Sequence, residues 1–362
     1  MIRMVELKRE IKILKREITK AINNILESGQ FIEGSTVKEL EKRIEKFLGV
    51  NHAITLASGT DSLFFALKAA NVGGDSEVIT TAFSFIATAE AIVHAGAKPV
   101  FADIDYNTMT IDPKSIEKKV TDKTKALIVV HIFGNPCKLD EIIKISQKYN
   151  LFLIEDCAQS FGAKFNNQFT GTFGDFGCFS FFPTKNLGCY GDGGLIVTNC
   201  DKSAYNIRIL KNHGSQKKYE HSIVGYNSRL DSIQAAILNV KLKYLNTWNS
   251  IRKRIAYEYT KKLSQIEAQQ TYEGAEHIYH QYTFKHFNRL ALMEYLKSMR
   301  VESTIYYPIP IHRQKAFQNP HTNTTLPETE KLSERVLSIP IHPFLDESEV
   351  SYIIKVINSF KG

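Results

Sequence analysis

Apolar residues recur at intervals of three and four over residues 6–26 (Ile11, Leu14, Ile18, Ile22, Ile25), the spacing of an amphipathic helix with one face on a core. Ser35 opens a second such pattern (Val37, Leu40, Ile44, Phe47, Leu48), and Gly49 stops it. Beyond residue 52 the rhythm changes to short apolar runs separated by helical stretches. Residues 52–56 read as a strand before a helix reaching about Ala70, 77–85 as a strand entering a helix, and 99–105 as the next strand. Strand 126–132, helix 139–148 and strand 151–155 continue the alternation. This rhythm predicts an α/β fold with a mostly parallel sheet flanked by helices. After residue 195 come a strand (195–198), a helix (202–212), a polar loop from His213-Gly214, and then 225–238, whose last part is a strong helix former that places Asn227 to Arg229 at a helix start. The character shifts near Thr247 to a long basic helix, 252–263. Strand-like 281–284, helix 290–299 and a proline-flanked aromatic stretch at 306–312 follow. We therefore expect a large domain of residues 1–246 and a smaller C-terminal α+β domain of residues 247–362.

Composition narrows the functional classes. With 362 residues, 43% of them hydrophobic, the chain can bury a sizeable core. The apolar run 126–130 is far too short to span a bilayer, and the N-terminal segment is charged and amphipathic, unlike a signal peptide. The expectation is a soluble, cytoplasmic protein with no membrane partner. Five cysteines without a Cys-x-x-Cys pair sit in apolar surroundings, which points to buried free thiols and to no metal site. The formal charge of +8 has no lysine-arginine block interleaved with aromatics, so small anions are expected as partners and nucleic acid is not.

Candidate chemistry concentrates at Ser180-Phe181-Phe182-Pro183-Thr184-Lys185-Asn186-Leu187-Gly188. An apolar run broken by Pro183 holds one lysine at the edge of an aromatic core, where desolvation favours the neutral, nucleophilic amine. A lysine that snorkels to water is the alternative for this segment alone. Upstream, Leu151-Phe152-Leu153-Ile154-Glu155-Asp156-Cys157-Ala158-Gln159-Ser160 is an apolar strand that delivers a carboxylate at its carboxyl end, where open parallel sheets bind ligands. Ala57-Ser58-Gly59-Thr60-Asp61-Ser62-Leu63 opens a helix, and its free N–H groups suit a phosphate or an ordinary cap. The run Gly188-Cys189-Tyr190-Gly191-Asp192-Gly193-Gly194 lacks the Gly-Lys-Ser/Thr ending of a phosphate loop and precedes a strand; it reads as a tight turn allowing close backbone approach behind Lys185.

Together, Glu155-Asp156-Cys157-Ala158-Gln159-Ser160 and the 180–188 segment resemble the nucleotide-sugar aminotransferases of the DegT type, which are fold type I pyridoxal phosphate (PLP) enzymes. The resemblance runs from the first helix to the last few residues. It implies that Lys185 forms a Schiff base with PLP and later shuttles a proton, and that Asp156 pairs with the pyridine nitrogen. It also implies that Gly59, Thr60 and Ser180, with Asn227 of the partner subunit, hold the phosphate. In the family, Gln159 touches the ring oxygen and Phe85 stacks on the ring opposite Ala158. Residues 31–34 and a loop carrying Tyr307 and His312 lie near the substrate. The implied enzyme is a homodimer with shared active sites that takes nitrogen from glutamate and passes it to a keto-sugar nucleotide.

Within the family, Gly225-Tyr226-Asn227-Ser228-Arg229-Leu230-Asp231 is similar to enzymes that aminate C3, whereas C4 enzymes carry Tyr-Arg-Met at the places of Ser228, Arg229 and Leu230. The runs 182–185, 189–194 and 337–343 resemble those of enzymes acting on UDP-2-acetamido-2-deoxy-3-keto-glucuronate, an O-antigen precursor. Arg229 is the expected clamp for a substrate carboxylate, with Tyr307 and His312 beside it. The alternative substrate is a dTDP-3-keto-6-deoxyhexose. Three other readings rank lower. A sugar dehydratase of this fold replaces the lysine by histidine, a PLP-binding regulator never exchanges amino groups, and a nicotinamide dehydrogenase needs a glycine fingerprint that Ala57-Ser58-Gly59-Thr60 does not supply.

Overall fold

The computed structural model describes residues 1–317 and 324–361. Its centre is a seven-stranded sheet built from β1 (His52–Leu56), β2 (Glu77–Thr81), β3 (Lys98–Ala102), β4 (Thr124–Val130), β5 (Phe152–Asp156), β6 (Phe176–Ser180) and β7 (Gly194–Thr198). Their order across the sheet is β3-β2-β4-β5-β6-β7-β1. Strands β3 to β6 pair in parallel, and β7 alone runs against its two neighbours. An inner strand shows why the sheet is covered on both faces. Along β4, Ala126 and Ile128 join one apolar cluster while Leu127 and Val129 join another. A continuous apolar run, not an alternating one, is what such a doubly covered strand requires.

Helix α1 (Leu7–Ser28) and helix α2 (Ser35–Leu48) fall where the periodicity places them, each closed by a left-handed glycine, Gly29 and Gly49. The buried stripe of α1 differs from the expected one, because Ile11 is 40% exposed and Glu10 is buried with Leu14, Ile18 and Ile25. The reason is an ion pair. Lys241 Nζ lies 2.5 Å from Glu10 Oε1 and 2.7 Å from the Gly188 carbonyl, and Tyr190 donates its hydroxyl to Glu10 at 3.0 Å. This cluster fastens α1 to the turn that follows Lys185.

The expected basic helix begins earlier, at Leu245, and runs unbroken to Lys262. Polar Asn246, Thr247, Asn249 and Ser250 conceal its first turns in the sequence, although Leu245, Trp248 and Asn249 are buried. Its C-terminal half (Ile255, Ala256, Tyr259) packs in a second core with strands Tyr282–Lys285 and Val336–Ile339 and helices Arg289–Ser298 and Glu347–Asn358. The chain's start belongs to this layer too, since Ile2 bridges Val301. Among the described residues, no helix is long and apolar enough to cross a membrane. Cys137, Cys157, Cys178 and Cys189 are buried free thiols, whereas Cys200, against expectation, is exposed at the start of helix Asp201–Leu210.

Removing one member of a buried ion pair strands the other charge. Glu10→Ala is expected to lower stability by about 3–5 kcal/mol in denaturant titration. Replacing both partners (Glu10→Leu with Lys241→Met) should recover at least half of that loss; an equal or greater loss in the double variant would contradict the ion-pair account.

Candidate active site

Because β1, β2, β5 and β6 point the same way, the segments after them emerge along one edge of the sheet. They enclose a cavity of about 490 Å³ lined by Gly59, Thr60, Phe85, Asp156, Ala158, Gln159, Ser180, Lys185 and Tyr307, among others. The residues singled out in five separate stretches of sequence therefore meet at one place.

Asp156 ends β5 and is buried. Its Oδ2 accepts from the Thr88 hydroxyl at 2.8 Å and its Oδ1 from the Ala158 N–H at 3.1 Å. Thr88 spends its proton there, so at 3.0 Å it accepts from Ser84. Burial raises the Asp156 pKa above the usual carboxylate value, against the lowering pull of those bonds and of Lys185 and His131. Such a carboxylate is incompletely compensated and suits a cationic N–H partner. Lys185 opens on the same cavity, and burial lowers its amine to about 8, with Asp156 pulling the other way. A substantial fraction of neutral amine at mildly alkaline pH follows.

At the opposite side, Ser58 caps helix α3 (Gly59–Ala69) by accepting from the Asp61 N–H at 3.0 Å. The amides of Gly59 and Thr60 have no acceptor among the described residues and face the cavity at a helix N-terminus. A Cβ on Gly59 would sit 2.7 Å from the Ser180 Cβ, so glycine is needed for Ser180 to reach this helix end. Gly194 is needed for the same kind of reason, since a Cβ there would meet the Ser58 carbonyl at 2.0 Å. The turn behind Lys185 is thus a close-approach device, as its sequence indicated.

Gln159 has a fixed orientation. Its Oε1 accepts from the Phe133 N–H at 2.6 Å, which leaves Nε2 to donate, and Nε2 lies 3.3 Å from the Tyr307 hydroxyl. Phe85 is 56% exposed on the cavity wall, its ring 6.4 Å from that of Tyr307. Burial holds the Tyr307 phenol well above its ordinary range, so it stays protonated.

Three expected residues do not line this cavity. His312 is buried in a tight turn, Ile311–Arg313, with Nε2 2.9 Å from Glu330 and its ring against Phe101. The expectation of a lid contact is corrected for this subunit's cavity: the histidine points into packing and its burial lowers its pKa. Asn227 and Arg229 also lie outside. Asn227 is exposed, and Arg229 Nη1 donates to Asn212 at 3.2 Å with no ion pair among the described residues. Between them Ser228 donates to Asp61 at 2.7 Å and accepts from the Ala57 N–H, tying this segment to the start of α3.

Sequence reading missed Thr88, Ser84 and the wall residue His280. The i, i+4 spacing of Ser84 and Thr88 after a strand was a usable signal. It also missed His131, Glu155 and Cys157, three groups whose ligand atoms lie within 4.8 Å behind Asp156. Their polar atoms are taken up by the fold. Glu155 is saturated by the N–H groups of Gly171, Phe173 and Gly174 and by His131 at 3.0 Å, while His131 Nδ1 accepts from the Cys137 N–H. Burial pushes the Cys157 thiol up to about 11, so it stays protonated in the core.

The donor set is that of a PLP site: an amine of lowered pKa, a buried carboxylate lacking full compensation, and free helix N-terminal amides beside a hydroxyl. Comparison with known proteins agrees. The DegT/DnrJ/EryC1/StrS aminotransferase family model matches residues 12–358. A UDP-N-acetyl-3-dehydro-alpha-D-glucosamine 3-aminotransferase from Acidithiobacillus ferrooxidans is 43% identical, over 98% of this chain and 96% of its own. A UDP-2-acetamido-2-deoxy-3-oxo-D-glucuronate aminotransferase from Pseudomonas aeruginosa is 39% identical over 99% of this chain and all of its own, 100%. The crystal structure of NtdA from Bacillus subtilis, solved with the cofactor PMP, superposes with a TM-score of 0.93 at 30% identity, covering 98% of this chain and 84% of that one. The chain belongs to the DegT/DnrJ/EryC1/StrS family and is a PLP-dependent sugar aminotransferase.

Proposed function

We propose that this aminotransferase moves the amino group of glutamate to C3 of UDP-2-acetamido-2-deoxy-3-oxo-glucuronate, in the making of a surface polysaccharide such as O-antigen. The observation that supports a carboxylate-bearing substrate is Arg229, whose guanidinium has one neutral partner, Asn212, and no carboxylate among the described residues; the choice of the uronate over a dTDP-6-deoxyhexose rests on the resemblance of the runs 182–185, 189–194 and 337–343. A planar fork held this way suits a carboxylate in two parallel hydrogen bonds, and both glutamate and a uronate bring one. The names of the two UDP-sugar relatives support a 3-keto substrate.

In this reading PLP supplies an electron sink and an exchangeable amino carrier. Lys185 would provide the amine that anchors the cofactor and would then carry the proton. Asp156, oriented by Thr88 and Ala158, keeps the pyridine nitrogen protonated. The Gly59 and Thr60 amides with Ser180 would hold the phosphate, Gln159 would donate Nε2 to the ring oxygen, and Phe85 and Ala158 would cover the two ring faces. Tyr307 donates its hydroxyl towards the substrate, while His312, turned to Glu330, is left a packing role.

Since Asn227 and Arg229 lie outside the cavity of their own subunit, we infer a homodimer in which each supplies the partner's site. Exposed apolar side chains near this segment, Val224 at 92% and Tyr219 at 83%, with half-exposed Phe31 and Ile32, fit a surface that a second copy covers. We keep the division into a cofactor-binding domain of residues 1–246 and a smaller one of 247–362. Four buried reduced thiols fit a reducing, cytoplasmic setting.

Mixing inactive Lys185→Ala and Arg229→Ala subunits should restore part of the activity, because one site of the heterodimer then holds both residues. Verified subunit exchange without recovery would show that each site is built from one chain. Substrate identity is read by turnover of a panel of keto-sugar nucleotides with glutamate. The UDP uronate should be preferred, and Arg229→Lys, which keeps charge but loses the fork, should cost it about 1–3 kcal/mol in kcat/KM. Preferred turnover of a 6-deoxy dTDP sugar would overturn the substrate while leaving the aminotransferase intact.

A further inference from the structure

A chain of buried amides runs from the core to the cavity and ends on a histidine that the chemistry above leaves unused. The Phe161 carbonyl can only accept, so the group 3.1 Å away is the Asn249 amide nitrogen, Nδ2. Asn249 therefore turns Oδ1 to Asn186, whose Nδ2 donates at 2.8 Å. Asn186 in turn presents Oδ1 to His280 Nδ1 at 3.0 Å, and an acceptor there requires the imidazole proton on Nδ1. One backbone carbonyl thus dictates the tautomer of a side chain three links away. Asn249, Asn186 and His280 are 5%, 6% and 6% exposed, so water competes weakly for these bonds. The His280 backbone is pinned as well, its N–H donating to the Phe133 carbonyl at 2.8 Å.

What remains is Nε2, an acceptor with no hydrogen-bond partner among the described residues, on a ring that lines the same cavity as Lys185. Asn186 directly follows Lys185 in the chain, so the relay also anchors the lysine's own backbone. We propose that His280 is a positioning residue for Lys185, its Nε2 lone pair accepting a hydrogen bond from the Lys185 amine when that side chain turns to this wall of the cavity they share. An amine that donates one N–H to Nε2 keeps its own lone pair for the reacting carbon. The other tautomer would donate Nε2–H into that lone pair and quench the nucleophile, which gives the asparagine relay its purpose. The charged and titratable groups around His280 are Lys185, Arg252 and His277; with burial, they hold its pKa well below the ordinary value, so the ring stays neutral and Nε2 stays bare. Asp156 is the charged group acting on Lys185.

The proposal rests on Lys185 being the reacting amine, and it is tested on that amine directly, so its failure leaves the aminotransferase reading standing. Nitrogen-15 NMR of histidine-labelled full-length holoenzyme should show His280 protonated at Nδ1 and bare at Nε2; an Nε2–H signal would overturn the proposal without any variant. In full-length protein stripped of cofactor, trace acetylation by acetic anhydride, read on the Lys185 peptide by mass spectrometry across pH, gives the midpoint of the amine. For wild type it should lie near 8, far below that of an ordinary lysine. A neutral acceptor favours the ammonium, so His280→Phe should strengthen the acidity of the amine by about threefold to tenfold, the worth of one hydrogen bond, and move the midpoint down. His280→Gln, which offers an oxygen acceptor, should restore most of the shift, which loss of packing alone would not explain. An unchanged midpoint in a folded His280→Phe protein, or a Gln variant that matches Phe, would overturn the contact.

Discussion

Burial works against the charge on both principal groups of this site, and the rest of the structure keeps that tension in place. The Lys185 amine is brought down to about 8 and the Asp156 carboxyl is raised, each by desolvation and each partly offset by the other. Neither group is stable alone in such a cavity without a partner of opposite character. Asp156 would pair with a cationic ring nitrogen and Lys185 would present its amine to a carbonyl group, so these two residues would hold a cofactor that carries both. The apoprotein is poised for one kind of molecule because its own charges are incompletely matched.

The scaffold holds that arrangement from behind. Parallel β5 and β6 put Asp156 and the 181–185 segment side by side, with Asp156 paired in register to Cys178. Glu155, one residue from Asp156 and on the other face of the strand, is fully hydrogen-bonded to the Gly171–Gly174 turn and His131, which fixes the strand end without competing for the cavity. On the far side of Lys185, the Glu10–Lys241 ion pair fastens the Gly188 carbonyl. Two buried carboxylates therefore serve geometry, and a third, less satisfied one serves chemistry. The difference lies in the donors each receives: Glu155 has four and Glu10 has a lysine ammonium in contact, whereas Asp156 has only the neutral Thr88 hydroxyl and Ala158 N–H.

Much of this was legible in the sequence. The parallel sheet, the first two helices and the pairing of Asp156 with Lys185 follow from runs whose chemistry is local: an apolar strand ending in a carboxylate, a lysine after a proline break, glycines behind it; Gln159 and Ser180 were placed by resemblance to the family. What was not legible depends on residues far apart in the chain. Glu10 is buried at the expense of Ile11 because its partner stands at position 241. His280 reaches the wall through Asn186 and Asn249, which no periodicity connects. His312 looked like a lid residue from its proline-flanked neighbourhood, yet its nearest partner, Glu330, lies on another helix and turns it inward. Arg229 lies outside its own cavity, and the bond from Ser228 to Asp61 supplies a long-range anchor for its segment that no local pattern could show.

The account stands on Lys185 and Asp156 carrying out amino transfer in the assembled protein. The most direct measurement is the half-reaction: PLP-loaded enzyme mixed with glutamate alone, with no sugar present. The account predicts one 2-oxoglutarate released per Lys185-bearing chain, a matching spectral change of the cofactor, and neither in Lys185→Ala. A wild-type protein that binds PLP but releases no 2-oxoglutarate would contradict it, leaving a site that holds the cofactor without exchanging nitrogen.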